Sequence, residues 1–316
     1  MAFTLLDSLT LPGDPAKPNE DAFGYGAQAA VVLDGATPLG DALMPGPSDA
    51  AWIAQFGARR LLAHLGEGKG ARKALRDALA DAQKSFEALR RMPPQAMWQT
   101  PCASMMLASL PPSGFNLPLD AARPSDVEAT SPSRAHSRAG GRQAGASVDM
   151  ELLWFGDCAA LLEQGDGAVM VIGETFDKRA AEAVRAQTIA REKKLSPASA
   201  LSRPEFIEAL RATRNRINSG NGWLFSPDAR AAAHAGRRIV QAAAGAHLLL
   251  ASDGFLALAS DYGAYSADTL MAAARQKGLA ALGAELRAIE ADDAGGDRFA
   301  RFKKSDDATA LLLRVE

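Results

Sequence analysis

Short apolar runs dominate this chain, and four of them begin or end at a carboxylate. Nine runs have the length and the turn-residue borders of β-strands: 3–9, 22–26, 28–33, 102–110, 150–156, 159–164, 168–172, 247–252 and 308–315. Several lie close enough in sequence to form hairpins, as where Gly165-Asp166-Gly167 separates two of them. Such short connections favour antiparallel pairing, because parallel neighbours need a long crossover.

Helical periodicity separates the groups of strands. Residues 48–65 carry an apolar stripe at helical spacing with Ser48 as the predicted N-cap, and residues 71–92 carry a second stripe closed by Pro93-Pro94. Further helices are predicted at 177–194, 204–218, 268–277 and 279–289. This succession indicates an α+β layered fold. With 316 residues, 47% of them hydrophobic, the chain can bury a large core, and we expect one domain over residues 1–316.

The segment 111–148 differs from its surroundings. It is rich in Pro, Ser, Gly, Ala and Arg, and Phe115 is its only aromatic residue. Such a segment cannot bury enough apolar surface to offset the entropy of ordering it. We therefore expect a disordered insertion in a hairpin loop, with a partner-docking segment as the alternative.

Composition narrows the classes of partner. The formal charge of -2, from 35 basic and 37 acidic residues, offers no field for nucleic acid or an anionic membrane. The chain has no uncharged apolar stretch of about 18 residues and opens without a basic-then-apolar leader. Cys102 and Cys158 lie in apolar strand-like contexts, which predicts buried free thiols. We expect a cytoplasmic monomer.

The acidic residues at the strand ends are the main candidates for function. They are Glu20 and Asp21 before one run, Asp34 and Asp253 after two others, and Asp306 before the last. A carboxylate at the end of a buried strand is costly unless a positive charge compensates it. One oxygen-rich cage for Mg²⁺ or Mn²⁺ would explain all of them together. Each Asp-Gly taken alone is more typical of a turn.

Five motifs in order resemble the metal-dependent PP2C-type protein phosphatases, in particular their divergent bacterial members. The motifs are Asn19-Glu20-Asp21-Ala22, Val32-Leu33-Asp34-Gly35, Phe155-Gly156-Asp157, Leu250-Ala251-Ser252-Asp253-Gly254 and Asp306-Asp307-Ala308-Thr309. The resemblance implies a four-layer αββα sandwich of two antiparallel sheets flanked by helices. It also implies two Mg²⁺ or Mn²⁺ ions at one end of that sandwich.

The resemblance also implies a role for each acidic residue. Asp34 would bridge the two ions, and Gly35 would offer its carbonyl group. Asp253 and Asp306 would hold the first ion, and Glu20 the second, with Asp21 as a nearby ligand or the holder of a bound water. Asp157 would help to bind a third, weaker ion. A water activated by the metals would then attack the phosphorus atom directly, with Asp34 and Asp253 acting through that water.

The sequence departs from the family pattern beside these motifs. Ala16 stands where many members have an arginine that clamps the phosphate, and Lys17 is the candidate substitute, with a solvated loop lysine as the alternative. Ala36-Thr37 follows the first Asp-Gly where eukaryotic members often have a histidine, and Cys158-Ala159 replaces the usual Ser-Arg.

The predicted activity is metal-dependent hydrolysis of phosphoserine and phosphothreonine in proteins, such as the substrates of a Ser/Thr kinase. Two alternatives stay open. The chain could be a catalytically weak regulatory module that binds metal or phosphorylated ligands, because Ala16 removes the expected clamp. It could also hydrolyse a small phosphorylated metabolite, since composition says nothing about pocket size.

Overall fold

Two antiparallel five-stranded sheets form the centre of the molecule. The computed structural model describes residues 1–111, 146–175, 204–220, 222–299, 301 and 303–316. The strands are β1 Phe3–Leu11, β2 Asp21–Gly26, β3 Ala29–Gly35, β4 Ala103–Ser109, β5 Ser147–Phe155, β6 Ala159–Glu163, β7 Val169–Ile172, β8 Gly236–Ala243, β9 His247–Ala251 and β10 Ala308–Val315. One sheet has the order β1-β10-β9-β6-β7, and the other has the order β2-β3-β4-β5-β8.

The central strands are buried on both faces, which explains why they read as continuous apolar runs. In β3, Val32 packs between the two sheets, whereas Val31 and Leu33 pack outward against helices. In β9, Leu250 faces the same inter-sheet core, and Leu249 faces the opposite helical layer. Side chains alternate along a strand, so each run supplies two layers of core at once.

Helices cover both outer faces of the sandwich. They are α1 Asp49–Gly66, α2 Ala71–Leu89, α3 Pro204–Arg214, α4 Asp253–Ser260, α5 Ala267–Lys277 and α6 Leu279–Asp292. Helices α1 and α2 pack on the sheet that contains β3, and α4 to α6 pack on the sheet that contains β9. Ser48 caps α1 by accepting hydrogen bonds from the backbone N–H groups of Ala50 and Ala51. The predicted α+β four-layer sandwich is confirmed.

Several predicted elements need correction. Strand β8 and helix α4 were not predicted. Strand β5 begins at Ser147, inside the segment predicted to be disordered, because Ser147 and Val148 pair with β8. The rest of that insertion, 112–145, and the predicted helix at 177–194 lie outside the described residues. Helix α3 ends at Arg214, short of the predicted end at residue 218.

Two predictions about buried groups and membranes can also be compared with the structure. Cys102 and Cys158 are free and buried, as predicted. Within the described ranges, no helix has both the length and the apolar character that crossing a bilayer requires.

Candidate metal centre

Strand register brings three acidic motifs to one end of the sandwich. Asp34 has the same parity as Val32 in β3, so its side chain belongs to the layer between the sheets. Asp21 lies directly opposite Asp34 on β2, and Ser104 lies opposite it on β4. Asp157 follows β5 in a turn at Gly156, whose φ of 69° is in the left-handed region. These motifs are far apart in sequence and meet only through the sheet.

The carboxylates of Asp34, Asp157 and Asp253 form the centre of the site. One oxygen from each lies within 4.8 Å of the others. Asp253 is the first residue of α4, immediately after β9 and Ser252. Ser104 Oγ donates a 2.5 Å hydrogen bond to Asp157 Oδ1, which fixes that carboxylate against β4. The structure thus brings together three of the acids singled out in the sequence.

Two glycines permit close approach around this cluster. A Cβ atom at Gly35 would lie 2.5 Å from the Ala50 carbonyl oxygen and 2.7 Å from that of Glu20. A Cβ atom at Gly254 would overlap the carbonyl oxygen of Asp307. Since both obstacles are backbone atoms, neither position has room for a side chain. The glycine in each of these Asp-Gly pairs therefore allows the backbone to pack closely beside the cluster.

Asp306 and Asp307 have different surroundings. Asp306 lines the cavity at the site, and Lys303 Nζ lies 2.6 Å from its Oδ1. Asp307 accepts backbone hydrogen bonds from Gly13 (2.7 Å) and Glu20 (2.6 Å), which attaches the chain before β2 to the start of β10. The final strand begins at Ala308, as predicted, and Asp306 lies two residues before it.

Glu20 and Asp21 lie beside the cluster, and a serine hydroxyl holds each of them. Ser48 Oγ donates a 2.5 Å hydrogen bond to Glu20 Oε1, so the cap of α1 also holds this carboxylate. Ser252 Oγ donates to Asp21 Oδ2 at 2.8 Å. Asp21 Oδ1 is buried and has no hydrogen-bond partner among the described residues. A buried carboxylate oxygen without a donor is a position that a cation can satisfy.

Burial and mutual repulsion disfavour the charged forms of these acids. Burial raises the pKa of Asp21 to about 8, and burial followed by the charges of Asp21 and Asp253 raises the pKa of Asp34 well above its usual range. Burial also raises the pKa of Glu20. Burial lowers the pKa of Lys303, but Asp306, Asp34 and Asp253 outweigh it and raise that pKa overall. The raised pKa values of these acids and of Lys303 together indicate that the site favours the binding of a positive charge, either a proton or a cation.

These residues fit hard divalent cations. The donor set is carboxylate and carbonyl oxygen, which Mg²⁺ and Mn²⁺ prefer. Asp34, Asp157 and Asp253 provide converging oxygens, and Asp21 provides a buried oxygen without a donor. The metal roles of all seven residues, Glu20, Asp21, Asp34, Gly35, Asp157, Asp253 and Asp306, stay predictions, and Gly35 and Asp306 line the same cavity.

Lys17 lies elsewhere. Its side chain is 76% exposed, and its Nζ is 3.7 Å from Asp14 Oδ2. The described residues that line the cavity do not include Lys17. The solvated-lysine interpretation therefore describes its position in the structure.

A cavity of about 570 Å³ opens above the carboxylates. Its lining includes two groups that are named here by their chemistry. The acidic floor is formed by Asp34, Asp157, Asp253 and Asp306, and the apolar wall includes Trp154, Trp223 and Leu224. Trp223 stacks on His234 with ring centroids 3.6 Å apart, and His234 lines the same cavity. Neither tryptophan was among the site residues predicted from the sequence. Arg214 of α3 also lines the cavity and was not singled out.

The overall structure is similar to solved serine/threonine phosphatases. The Mycobacterium tuberculosis serine/threonine phosphatase PstP/Ppp aligns with a TM-score of 0.53 and 17% identity, over 100% of both chains. The catalytic domain of PstP in complex with two manganese ions aligns at 0.50 and 17%, over 100% of this chain and 99% of that one. The photosystem II phosphatase PBCP aligns at 0.50 and 13%, over 99% of each.

Scans against protein-family models and curated proteins found no match. The structural similarity therefore shows the fold, which is that of the PP2C phosphatases to which the sequence motifs pointed.

Proposed function

We propose that this protein is a divergent PP2C-type phosphatase that hydrolyses phosphoserine and phosphothreonine in proteins with Mg²⁺ or Mn²⁺. The observation that carries the proposal is the convergence of Asp34, Asp157 and Asp253 within 4.8 Å, at one end of a sandwich with this phosphatase fold. The solved structure of PstP with two manganese ions supports a pair of ions as the cofactor.

The chain's own residues would hold the ions and shape the space above them. Asp34 and Asp253 are the first candidates for the ligands, with Asp306, Glu20 and Asp21 around them. Divalent ions, when bound, lower the pKa of water and polarise a phosphoryl oxygen. The Ser104 hydroxyl orients Asp157, and the Ser48 hydroxyl orients Glu20, so both carboxylates are positioned before any ligand binds.

The cavity above the carboxylates suits a phosphorylated side chain that is presented on a larger chain. Its acidic floor lies beside an apolar wall formed by Trp154, Trp223 and Leu224. A phosphate would approach the floor with the ions bound, while neighbouring apolar groups of the substrate contact the wall. Phosphorylated proteins are therefore the substrate class that we propose, with a Ser/Thr kinase as their source.

Hydrolysis of p-nitrophenyl phosphate and of phosphoserine and phosphothreonine peptides, with Mn²⁺ and with EDTA, tests this proposal. Asp34→Asn and Asp253→Asn are expected to lose metal-dependent turnover and to weaken Mn²⁺ binding measured by calorimetry. Asp166→Asn is the matched control, because Asp166 lies in the hairpin turn where its Oδ1 accepts a bond from Ala168. Turnover that persists in both site variants, or in EDTA, would refute the mechanism.

A second candidate is a catalytically weak module that binds phosphorylated ligands. Ala16 and the exposed position of Lys17 favour it, since neither of them supplies a phosphate clamp at the cavity. Tight phosphopeptide binding without turnover would support this candidate. Comparable rates on a panel of phosphorylated metabolites would instead favour a small-molecule substrate.

A further inference from the structure

Positive charge in the cavity is scarce compared with its acidic floor. Among the described lining residues, the permanently charged cations are Arg214, Arg301 and Lys303. A phosphate monoester carries close to two negative charges at neutral pH and needs cationic contacts beyond those that the ions provide. Which of these three side chains can provide them depends on their present partners.

Two of the three cations already have carboxylate partners. Arg301 Nη1 lies 2.6 Å from Asp293 Oδ2, and its other nitrogens donate to backbone carbonyls, including that of Lys304 at 3.0 Å. Lys303 Nζ lies 2.6 Å from Asp306 Oδ1. These pairs tie both cations to the loop before β10. Their charge is largely compensated within the protein.

Arg214 is different. It ends helix α3, and its Nη1 donates a 2.6 Å hydrogen bond to the carbonyl oxygen of Thr37, three residues after Asp34. That acceptor is neutral, and no carboxylate within the described ranges forms an ion pair with Arg214. The guanidinium group has five N–H donors, and this contact uses one nitrogen. Arg214 is therefore held in the lining of the cavity with donors to spare.

We propose that Arg214 binds the phosphate group of the substrate and supplies the guanidinium contact that Ala16 does not provide. This inference rests on the proposed function. A guanidinium group forms paired hydrogen bonds to two phosphate oxygens, and its charge does not depend on pH in the physiological range. The contact with Thr37 fixes the side chain beforehand, so that less entropy is lost on binding.

The alternative is a structural role in which Arg214 only fastens α3 to residues 37–39. Arg211 provides the matched control for that role. Its Nε donates to the Leu39 carbonyl oxygen at 3.0 Å, and its guanidinium lies 4.1 Å from the centre of the Trp98 ring. Arg211 therefore fastens the same helix to the same segment, but it is absent from the cavity lining. If Arg214 had only this structural role, substituting Arg214 and substituting Arg211 would change phosphate binding to the same extent.

The experiment compares Arg214→Gln, Arg214→Lys and Arg211→Gln in the full chain with saturating Mn²⁺. Calorimetry measures the Kd for inorganic phosphate, and p-nitrophenyl phosphate and a phosphothreonine peptide give KM and kcat. Loss of one charge-assisted contact weakens binding by about ten- to a hundredfold. We expect that increase in Kd and KM for Arg214→Gln and a smaller increase for Arg214→Lys, which keeps the charge without the fork. Arg211→Gln is expected to change both by less than about threefold.

The outcomes separate the two proposals. If the unsubstituted protein turns over phosphoesters but Arg214→Gln and Arg211→Gln have equal phosphate affinity, the role of Arg214 is refuted and the proposed function stands. If no turnover occurs with Mn²⁺, the proposed enzyme is refuted, while the calorimetric comparison still tests Arg214. Absence of phosphate binding by the unsubstituted protein overturns the role of Arg214. Circular dichroism and urea unfolding verify that each variant is folded.

Discussion

Replacing Asp34 by asparagine is expected to stabilise the metal-free protein and to destabilise the metal-loaded protein relative to the unsubstituted chain. Asparagine keeps the size and one acceptor oxygen of aspartate but carries no charge. Asp34 shares its site with Asp157 and Asp253, and one oxygen from each lies within 4.8 Å of the others. Without cations, the three negative charges repel one another, so removing the charge of Asp34 relieves two repulsive pairs.

The magnitude follows from these distances. Two unit charges 4.8 Å apart repel by about 0.9 kcal/mol at the dielectric constant of water and by about 3.5 kcal/mol at an effective value of 20. With the screening of water, which the open cavity provides, the two pairs that involve Asp34 therefore give about 2 kcal/mol when all three groups are ionised. Manganese at a hundred times its Kd stabilises the unsubstituted protein by about 2.7 kcal/mol. Asp34→Asn should lose most of that increment, so the order of stability reverses when Mn²⁺ is added.

The assay is urea unfolding followed by tryptophan fluorescence at pH 5 and pH 9, with EDTA or with Mn²⁺. Burial and neighbouring charges raise the pKa of Asp34, so protonation relieves the repulsion at pH 5 and the gain in EDTA should be larger at pH 9. Asp166→Asn, in an exposed turn, should change the free energy of unfolding by less than about 0.5 kcal/mol under every condition. A loss of stability in EDTA at pH 9, or an unchanged response to Mn²⁺, would refute the reasoning.

Three further predictions concern the same end of the molecule. Stability of the metal-free protein should fall as the pH rises from 5 to 8. Burial raises the pKa of Asp21 from its ordinary value of 3.8 to about 8, so over this range the folded state holds a proton that the unfolded state has lost. Asp21→Asn should flatten this pH profile in urea titrations. Gly254→Ala should destabilise the fold and abolish Mn²⁺ binding, because the added Cβ atom would overlap backbone atoms of Asp307. Gly66→Ala places its Cβ atom in open space and should have neither effect. Thermal melting measures the stability of both variants, and calorimetry measures their Mn²⁺ binding. Ser48→Ala and Ser266→Ala each remove a helix cap and should each lower the free energy of unfolding in urea by about 1 kcal/mol. Only Ser48→Ala should weaken Mn²⁺ affinity, because Ser48 also donates a hydrogen bond to Glu20. Equal Mn²⁺ affinities in the two variants would mean that this contact does not contribute to the site.

Local pattern predicted every strand except β8 and every described α-helix except α4. Strands such as β3 and β10 are buried on both faces, so their sequences are continuous apolar runs of strand length. The pattern failed where burial does not follow a simple period. Strand β8 is largely exposed at a sheet edge, and helix α4 is buried almost all round, so neither shows a one-sided stripe.

The sequence by itself determined that carboxylates stand at the ends of buried strands, because an unpaired charge is too costly there to be accidental. Only the tertiary structure decided that Asp157 joins Asp34 and Asp253, since cross-strand register and the Gly156 turn set those distances. It also placed Arg214 at the cavity and Lys17 in solvent. Side-chain direction depends on how distant elements pack, and spacing along the chain does not encode that.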